Sequence, residues 1–167
     1  MAPRVYASWW DRTGLALLGA GLIVLVAVFT ALPALAATGI LRGTEMNGFG
    51  RAVFTFDALP RTTVQVRNGI LILSFDRPVT IPVDKLTSEL PEYVSAVRLD
   101  PDGRGLRMAL TRPLRPHQME AGEKLFIDLL PETWRQSPPG LPQDVIDDLS
   151  RRAREAEEAA RQMLRMR

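Results

Sequence analysis

An uninterrupted apolar run over residues 14–32 constrains this chain more than any other feature of its sequence. The run holds 19 residues with no charge among them, and Arg4 and Arg12 precede it. At about 1.5 Å per residue, a helix of this length spans roughly 28 Å, close to the thickness of a bilayer's hydrocarbon core. The run therefore predicts an N-terminal apolar helix that enters a membrane, and it favours a location outside the cytoplasm for the residues that follow.

The residues after the run leave two fates open for it. Pro33 breaks the helix and small residues follow, which suits signal-peptide cleavage between Ala36 and Ala37. The length favours an uncleaved anchor instead, because the apolar core of a signal peptide usually has about 7–15 residues. Residues 1–37 are thus interpreted as a signal peptide or a membrane anchor, and the protein as periplasmic, either exported or anchored to the inner membrane.

Composition limits what the rest of the chain can bind. The 21 basic residues are interleaved with 19 acidic ones and the net charge is +2, which is too weak a balance for nucleic acid. There is no cysteine, so disulfides are excluded, and the single histidine, His117, cannot form a metal site alone. The sequence predicts no metal, no cofactor and no catalytic centre, and hence a protein that is not an enzyme.

Seven segments after Phe49 have the short alternating patterns of β-strands, separated by turn residues such as Asn68-Gly69. Two of them, residues 70–75 and 124–130, are apolar on both faces, which predicts central strands covered above and below. Asp84 precedes a short connecting helix. The predicted strands are residues 49–56, 62–67, 70–75, 94–99, 106–111, 114–119 and 124–130.

The two halves of this region are alike. Phe56 and Leu110 end corresponding strands 54 positions apart, and Phe75 and Leu129 are separated by the same offset. The offset predicts a duplicated three-strand unit, and so a mainly β fold: a small β-sandwich of two similar three-stranded sheets. The alternative is that any small sandwich repeats strand, turn and strand at this spacing.

The segments on either side of the β region complete the organisation. Residues 38–48 are interpreted as a linker, residues 49–134 as the β domain and residues 135–142 as a proline-rich linker. Residues 143–167 predict a long helix with a heptad seam, which needs either a partner helix, as in a homo-oligomer, or the β domain to pack against. The seam consists of Ile146, Leu149, Ala153, Ala156, Ala160 and Met163.

The β region resembles the AMIN domain, the envelope-targeting module of bacterial cell-wall amidases and of some secretin subunits. The residues that carry the resemblance are GRAVFTFD at 50–57, NGILILSFD at 68–76 and the closing strand KLFIDL at 124–129. The resemblance implies two similar three-stranded sheets and a non-catalytic module that contacts peptidoglycan or an envelope protein complex. The chain is also similar to the front part of alphaproteobacterial envelope proteins that carry tetratricopeptide repeats.

Two sets of polar residues are candidates for function. Arg51, Arg67, Arg98 and Arg107 occupy outward strand positions, where guanidinium groups can bind carboxylates of peptide stems or acidic groups on a partner. The alternative for them is a solvated sheet face. Asp128 lies within an apolar strand and must find hydrogen-bond donors, so it is interpreted as a structural polar residue. The favoured function is envelope binding and localisation, and the alternative is structural assembly through the C-terminal helix.

Overall fold

The computed structural model describes residues 36–166, and these form a mainly β structure with a C-terminal helix. The apolar run of residues 14–32 lies outside the described residues. Within the part that the structure describes, no helix is both long enough and apolar enough to cross a membrane. The strands are β1 (Ala37–Met46), β2 (Phe49–Phe56), β3 (Thr62–Arg67), β4 (Ile70–Phe75), β5 (Val79–Thr80), β6 (Val94–Leu99), β7 (Gly105–Leu110), β8 (Leu114–Ala121) and β9 (Lys124–Pro131), and the helices are α1 (Leu86–Glu89) and α2 (Gln143–Arg165).

The strands are arranged in two sheets. The five-stranded sheet has the order β5-β1-β2-β9-β8, and the four-stranded sheet has the order β3-β4-β7-β6. Neighbouring strands are antiparallel, except that β1 and β5 are parallel. The mainly β prediction is confirmed, together with the C-terminal helix. The expected pair of three-stranded sheets is wrong, because the sheets contain five and four strands.

Strand β1 occupies most of residues 38–48, which the sequence had indicated as a linker. Its glycines hide the strand pattern, and both glycines are required by close packing. A Cβ at Gly39 would stand 2.8 Å from the ring of Phe56, and one at Gly43 would stand 2.7 Å from Leu90 just after α1. The strand therefore lacks side chains at the positions that would have revealed its alternation.

The internal repeat is present in the topology, but its unit differs from the predicted one. Hairpin β1–β2 lies in the five-stranded sheet and β3–β4 in the four-stranded sheet, whereas β6–β7 lies in the four-stranded sheet and β8–β9 in the five-stranded sheet. In this repeat β1 corresponds to β6, β2 to β7, β3 to β8 and β4 to β9. Replacing each strand by its counterpart converts the order β1-β2-β9-β8 of one sheet into β6-β7-β4-β3, which is the order of the other sheet. Each sheet takes one hairpin from each half, so the unit has four strands and neither half forms a sheet by itself.

The core lies between the sheets and is built from the inward residues of the central strands. Alternation places every second side chain of a strand on this side, where apolar burial stabilises the fold. Helix α1 closes one side of the sandwich with Leu86, which is 1% exposed. The inward side chains of β2, β4, β7 and β9 in this core include Phe54, Phe56, Leu71, Leu73, Phe75, Leu106, Met108, Leu125, Ile127 and Leu129.

The two strands predicted to be covered on both faces differ in their surroundings. Both are central, as expected: β4 lies between β3 and β7, and β9 between β2 and β8. The residues of β9 from Leu125 to Leu130 are all buried, so both of its faces are covered. In β4, the outward residues Ile70 and Ile72 are only half-buried, and its outer face is open. One apolar strand face thus lacks the cover that its composition predicts.

Gly50 gives a direct test of this packing. A Cβ at Gly50 would stand 2.8 Å from Cγ of Tyr93, whose ring is buried and cannot move aside, so Gly50→Ala should destabilise the fold by about 1–3 kcal/mol. The matched control is Gly140→Ala, since a Cβ there meets nothing within 4 Å, and its effect should stay within about 0.5 kcal/mol. Urea unfolding measures both, and equal effects would contradict the packing described.

Candidate functional site

A buried ion pair joins the two central strands of the five-stranded sheet. The register pairs Arg51 of β2 directly with Asp128 of β9, with both side chains on the outer face. Arg51 donates from Nε to Oδ1 at 2.6 Å and from Nη2 to Oδ2 at 2.8 Å, a two-bond geometry that fits guanidinium to carboxylate. Arg51 is 5% exposed and Asp128 is 0% exposed.

The same guanidinium holds the segment between the sheet and α2. Nη2 of Arg51 also donates to the carbonyl oxygen of Gly140 at 2.9 Å. The rings of Phe49 and Phe126 lie 5.5 and 5.6 Å from its central carbon, and Trp134 packs edge-on against Phe49. The proline-rich segment is therefore bound to the sheet and covers the ion pair.

Helix α2 continues this cover with its first turns. Val145 is buried and packs with Ala121 and Phe126, and Leu149 packs at the edge of the same cluster. Arg152 bonds to Glu123 in the β8–β9 turn at 3.1 Å. A hydrogen bond from its own backbone N–H, followed by the bond from Arg152, lowers the pKa of Glu123. The outer face of the five-stranded sheet over β2 and β9 is thus occupied by the chain's own C-terminal segment.

Arg51 therefore differs from its expected placement. The sequence predicts an accessible residue on a contact surface, and the structure instead buries it under residues 134–149. The physical reason is Asp128, because a carboxylate on a covered central strand needs a cation and donors, and Arg51 supplies both. Asp128 accepts both of these hydrogen bonds from Arg51.

The other three candidate arginines share one surface, the outer face of the four-stranded sheet, which is called here the open face. Arg67 lies on β3, Arg98 on β6 and Arg107 on β7, and the register pairs Arg98 directly with Arg107. The half-buried apolar strip of β4 runs between them. A groove of about 260 Å³ on this face is lined by Ile70, Ala96, Val97, Arg98, Arg107 and Ala109.

A carboxylate that the sequence interpretation missed orients Arg107 and lies near Arg98. Asp100 follows β6 and accepts bonds from Nε and Nη2 of Arg107 at 2.9 and 3.0 Å, and Nη2 of Arg98 lies 3.8 Å away. The hydrogen bond from Arg107 lowers the pKa of Asp100, and the same bond raises the pKa of Arg107. Gly105 makes room for this carboxylate, since a Cβ there would stand 3.0 Å from its Cγ.

Two cations around one carboxylate leave the open face with a net positive charge beside an apolar strip. Nε and Nη2 of Arg107 are occupied by Asp100, whereas Arg98 makes only the longer contact, and its side chain is 74% exposed. The guanidinium of Arg98 is therefore available to an incoming carboxylate. The groove beside it offers the aliphatic surface of Ile70 and Ala109. The arrangement suits a ligand with an anionic group and a small apolar group.

The remaining candidates lie elsewhere. Ala36 is exposed, and Ala37 begins β1 with its N–H bonded to the carbonyl of Pro78 at 2.9 Å. In the heptad seam, Leu149 contacts the sheet and Ile146 is 41% exposed. The other seam residues, Ala153, Ala156, Ala160 and Met163, are all exposed.

A search for a metal site and three comparisons with known proteins give no match within their scope. Within residues 36–166, no group of three or more histidine, aspartate or glutamate side chains is arranged to hold a metal ion. Comparison with protein-family models, with curated proteins and with solved structures finds no match to this chain.

Proposed function

We propose that the protein is a non-catalytic binding and localisation module of the cell envelope, and that its open face contacts peptidoglycan. One observation carries the proposal: β4 presents an apolar face without a cover, and oriented arginines flank it. Exposed apolar patches rimmed by polar groups are typical of interaction surfaces. On the other sheet, the outer face over β2 and β9 is already occupied by residues 134–149, so that part is not free for a ligand.

Charge complementarity favours the peptide stems of peptidoglycan as the occupant. Stem carboxylates match the guanidinium of Arg98, which is exposed and held near Arg107 by their common partner Asp100. Short aliphatic side chains of a stem match the groove between Ile70 and Ala109. An envelope protein with acidic residues would satisfy the same arginines, and the test below separates the two.

The compartment is part of the proposal. Residues 14–32 are taken as the segment that exports the chain to the periplasm or anchors it to the inner membrane. Cleavage between Ala36 and Ala37 would leave all of β1 in the mature protein, since that strand begins at Ala37. We also propose an AMIN-like fold. The internally repeated, mainly β sandwich supports it, but its sheets contain five and four strands where the resemblance implies three in each.

Co-sedimentation with purified sacculi tests the open face. The double variant Arg98→Gln/Arg107→Gln should bind about tenfold more weakly, because exposed ion pairs contribute about 0.2–1 kcal/mol each and about 1.4 kcal/mol corresponds to a factor of ten. Arg154→Gln/Arg165→Gln, on the exposed part of α2, removes the same charge and should bind like the unmodified chain. Equal loss of binding in both variants would contradict a site at the open face. If the unmodified chain does not sediment with sacculi, peptidoglycan is not the ligand, and an envelope protein with acidic residues becomes the proposed partner.

Structural assembly through α2 is the second candidate function. The observation in its favour is that every residue from Ser150 to Met166 is exposed, so the seam from Ala153 onward has no cover among the described residues. Its weakness is that alanine buries little apolar area. If it is correct, light scattering should show an oligomer that Ala156→Asp/Ala160→Asp dissociates and Arg154→Asp leaves intact. A monomeric unmodified chain would exclude it.

A further inference from the structure

The edge strands of the two sheets are protected against strand addition, with one exception. Native proteins protect sheet edges with very short strands, bulges or proline. Here β5 has two residues, β6 has a bulge between Val94 and Ala96, and β8 contains Pro116. The fourth edge, β3, is a regular strand with neither proline nor bulge along its pairing with β4.

The hairpin register determines which backbone groups of β3 face outward. The turn at Asn68-Gly69 has positive φ at both residues, and Asp76 N–H bonds to the carbonyl of Arg61 at 3.1 Å. Odd-numbered residues of β3 therefore bond to β4, and even-numbered residues point their N–H and C=O groups away. The carbonyl of Thr62 accepts a bond from Gln118 at 3.4 Å. Within residues 36–166, the outward groups of Val64 and Val66 have no hydrogen-bond partner.

A cavity with a mainly apolar lining lies beside this part of the edge. It measures about 370 Å³, and its lining includes Val66 of β3 and Leu114 of β8. Val66 is 37% exposed at its rim. A strand added to β3 would point every second side chain to the same side as Val66, and thus toward the cavity. The cavity is lined by Val66, Gly69, Leu110, Arg112, Pro113, Leu114 and Glu132.

Charge around the edge favours an acidic partner. Arg67 ends β3, and Arg112 lies on the cavity wall with its guanidinium 5.1 Å from the ring of Tyr93. Neither arginine forms an ion pair within residues 36–166, and Glu132 is the one carboxylate on the wall. A second copy of β3 would add arginines to this region, whereas an acidic strand would neutralise them.

We propose that the β3 edge binds an extended acidic peptide segment of a partner protein by strand addition. The backbone of the peptide pairs with Val64 and Val66, and an apolar side chain enters the cavity. The acidic side chains at the alternate positions point to the other side of the strand, toward Arg67. The inference goes beyond the proposed peptidoglycan contact, because it uses a backbone edge and a cavity that do not belong to the open face, and it shares with that face Arg67 but not the groove beside Arg98 and Arg107.

Amide hydrogen exchange of the full chain tests this edge, with the peptide acetyl-Glu-Val-Glu-Val-Glu-Val-amide as the probe. Saturating peptide should slow exchange at Val64 and Val66 at least about tenfold, because their outward N–H groups gain partners. Gln65 and Arg67 already bond to β4 and should change little. The same peptide with Lys in place of Glu should bind more weakly.

Two variants and a modified peptide separate strand addition from other binding. Val66→Pro removes an outward N–H and should weaken peptide binding at least about tenfold, whereas Val66→Thr keeps that N–H and should bind nearly as well. The peptide methylated at alternate backbone nitrogens should not protect the edge, a control that does not depend on the folding of any variant. Unchanged exchange at Val64 and Val66 would overturn the proposal. Protection that grows with protein concentration without peptide would also overturn it and indicate a second copy instead.

Discussion

The buried ion pair between Arg51 and Asp128 is the interaction on which the rest of the structure depends. It joins β2 to β9 at the centre of the five-stranded sheet, and its third bond, to the carbonyl of Gly140, holds the C-terminal segment against the sheet. Removing one partner of such a pair would leave an uncompensated buried charge. The pair therefore lies under the cover of the outer face over β2 and β9 and is bonded to it, whereas the face bearing Arg98 and Arg107 is open.

Comparing the two halves shows how one topology produces two different faces. The 54-residue offset maps Arg51 to Gly105 and Asp128 to Ser74, and these two residues are themselves paired in the four-stranded sheet. Where one sheet has a buried pair, the other has a glycine that makes room for Asp100. The carboxylate of Asp100 orients Arg107 at the surface, whereas that of Asp128 binds a buried arginine. The covered face serves stability, and the proposed role of the open face is recognition.

Alternation and turn residues sufficed to predict seven of the strands, because these signals are local. They missed β1, whose glycines conceal its pattern, and the two-residue β5. They also could not separate Arg51 from Arg98 and Arg107, since all three are outward in their own strands. That difference is set by residues 134–149, which are distant in sequence. Asp128 in an apolar strand was the one available signal, because a covered carboxylate requires a cation nearby.

A double-mutant cycle on the ion pair tests the central claim most directly. Arg51→Met and Asp128→Leu should each lower the free energy of unfolding by about 3–5 kcal/mol, since each leaves a buried charge without its partner. The double variant contains neither charge. Its loss of unfolding free energy should therefore be smaller than the sum of the two single losses by about 1–3 kcal/mol, which is the coupling energy. Single losses under about 1 kcal/mol that add without coupling would contradict the claim that this pair organises the structure.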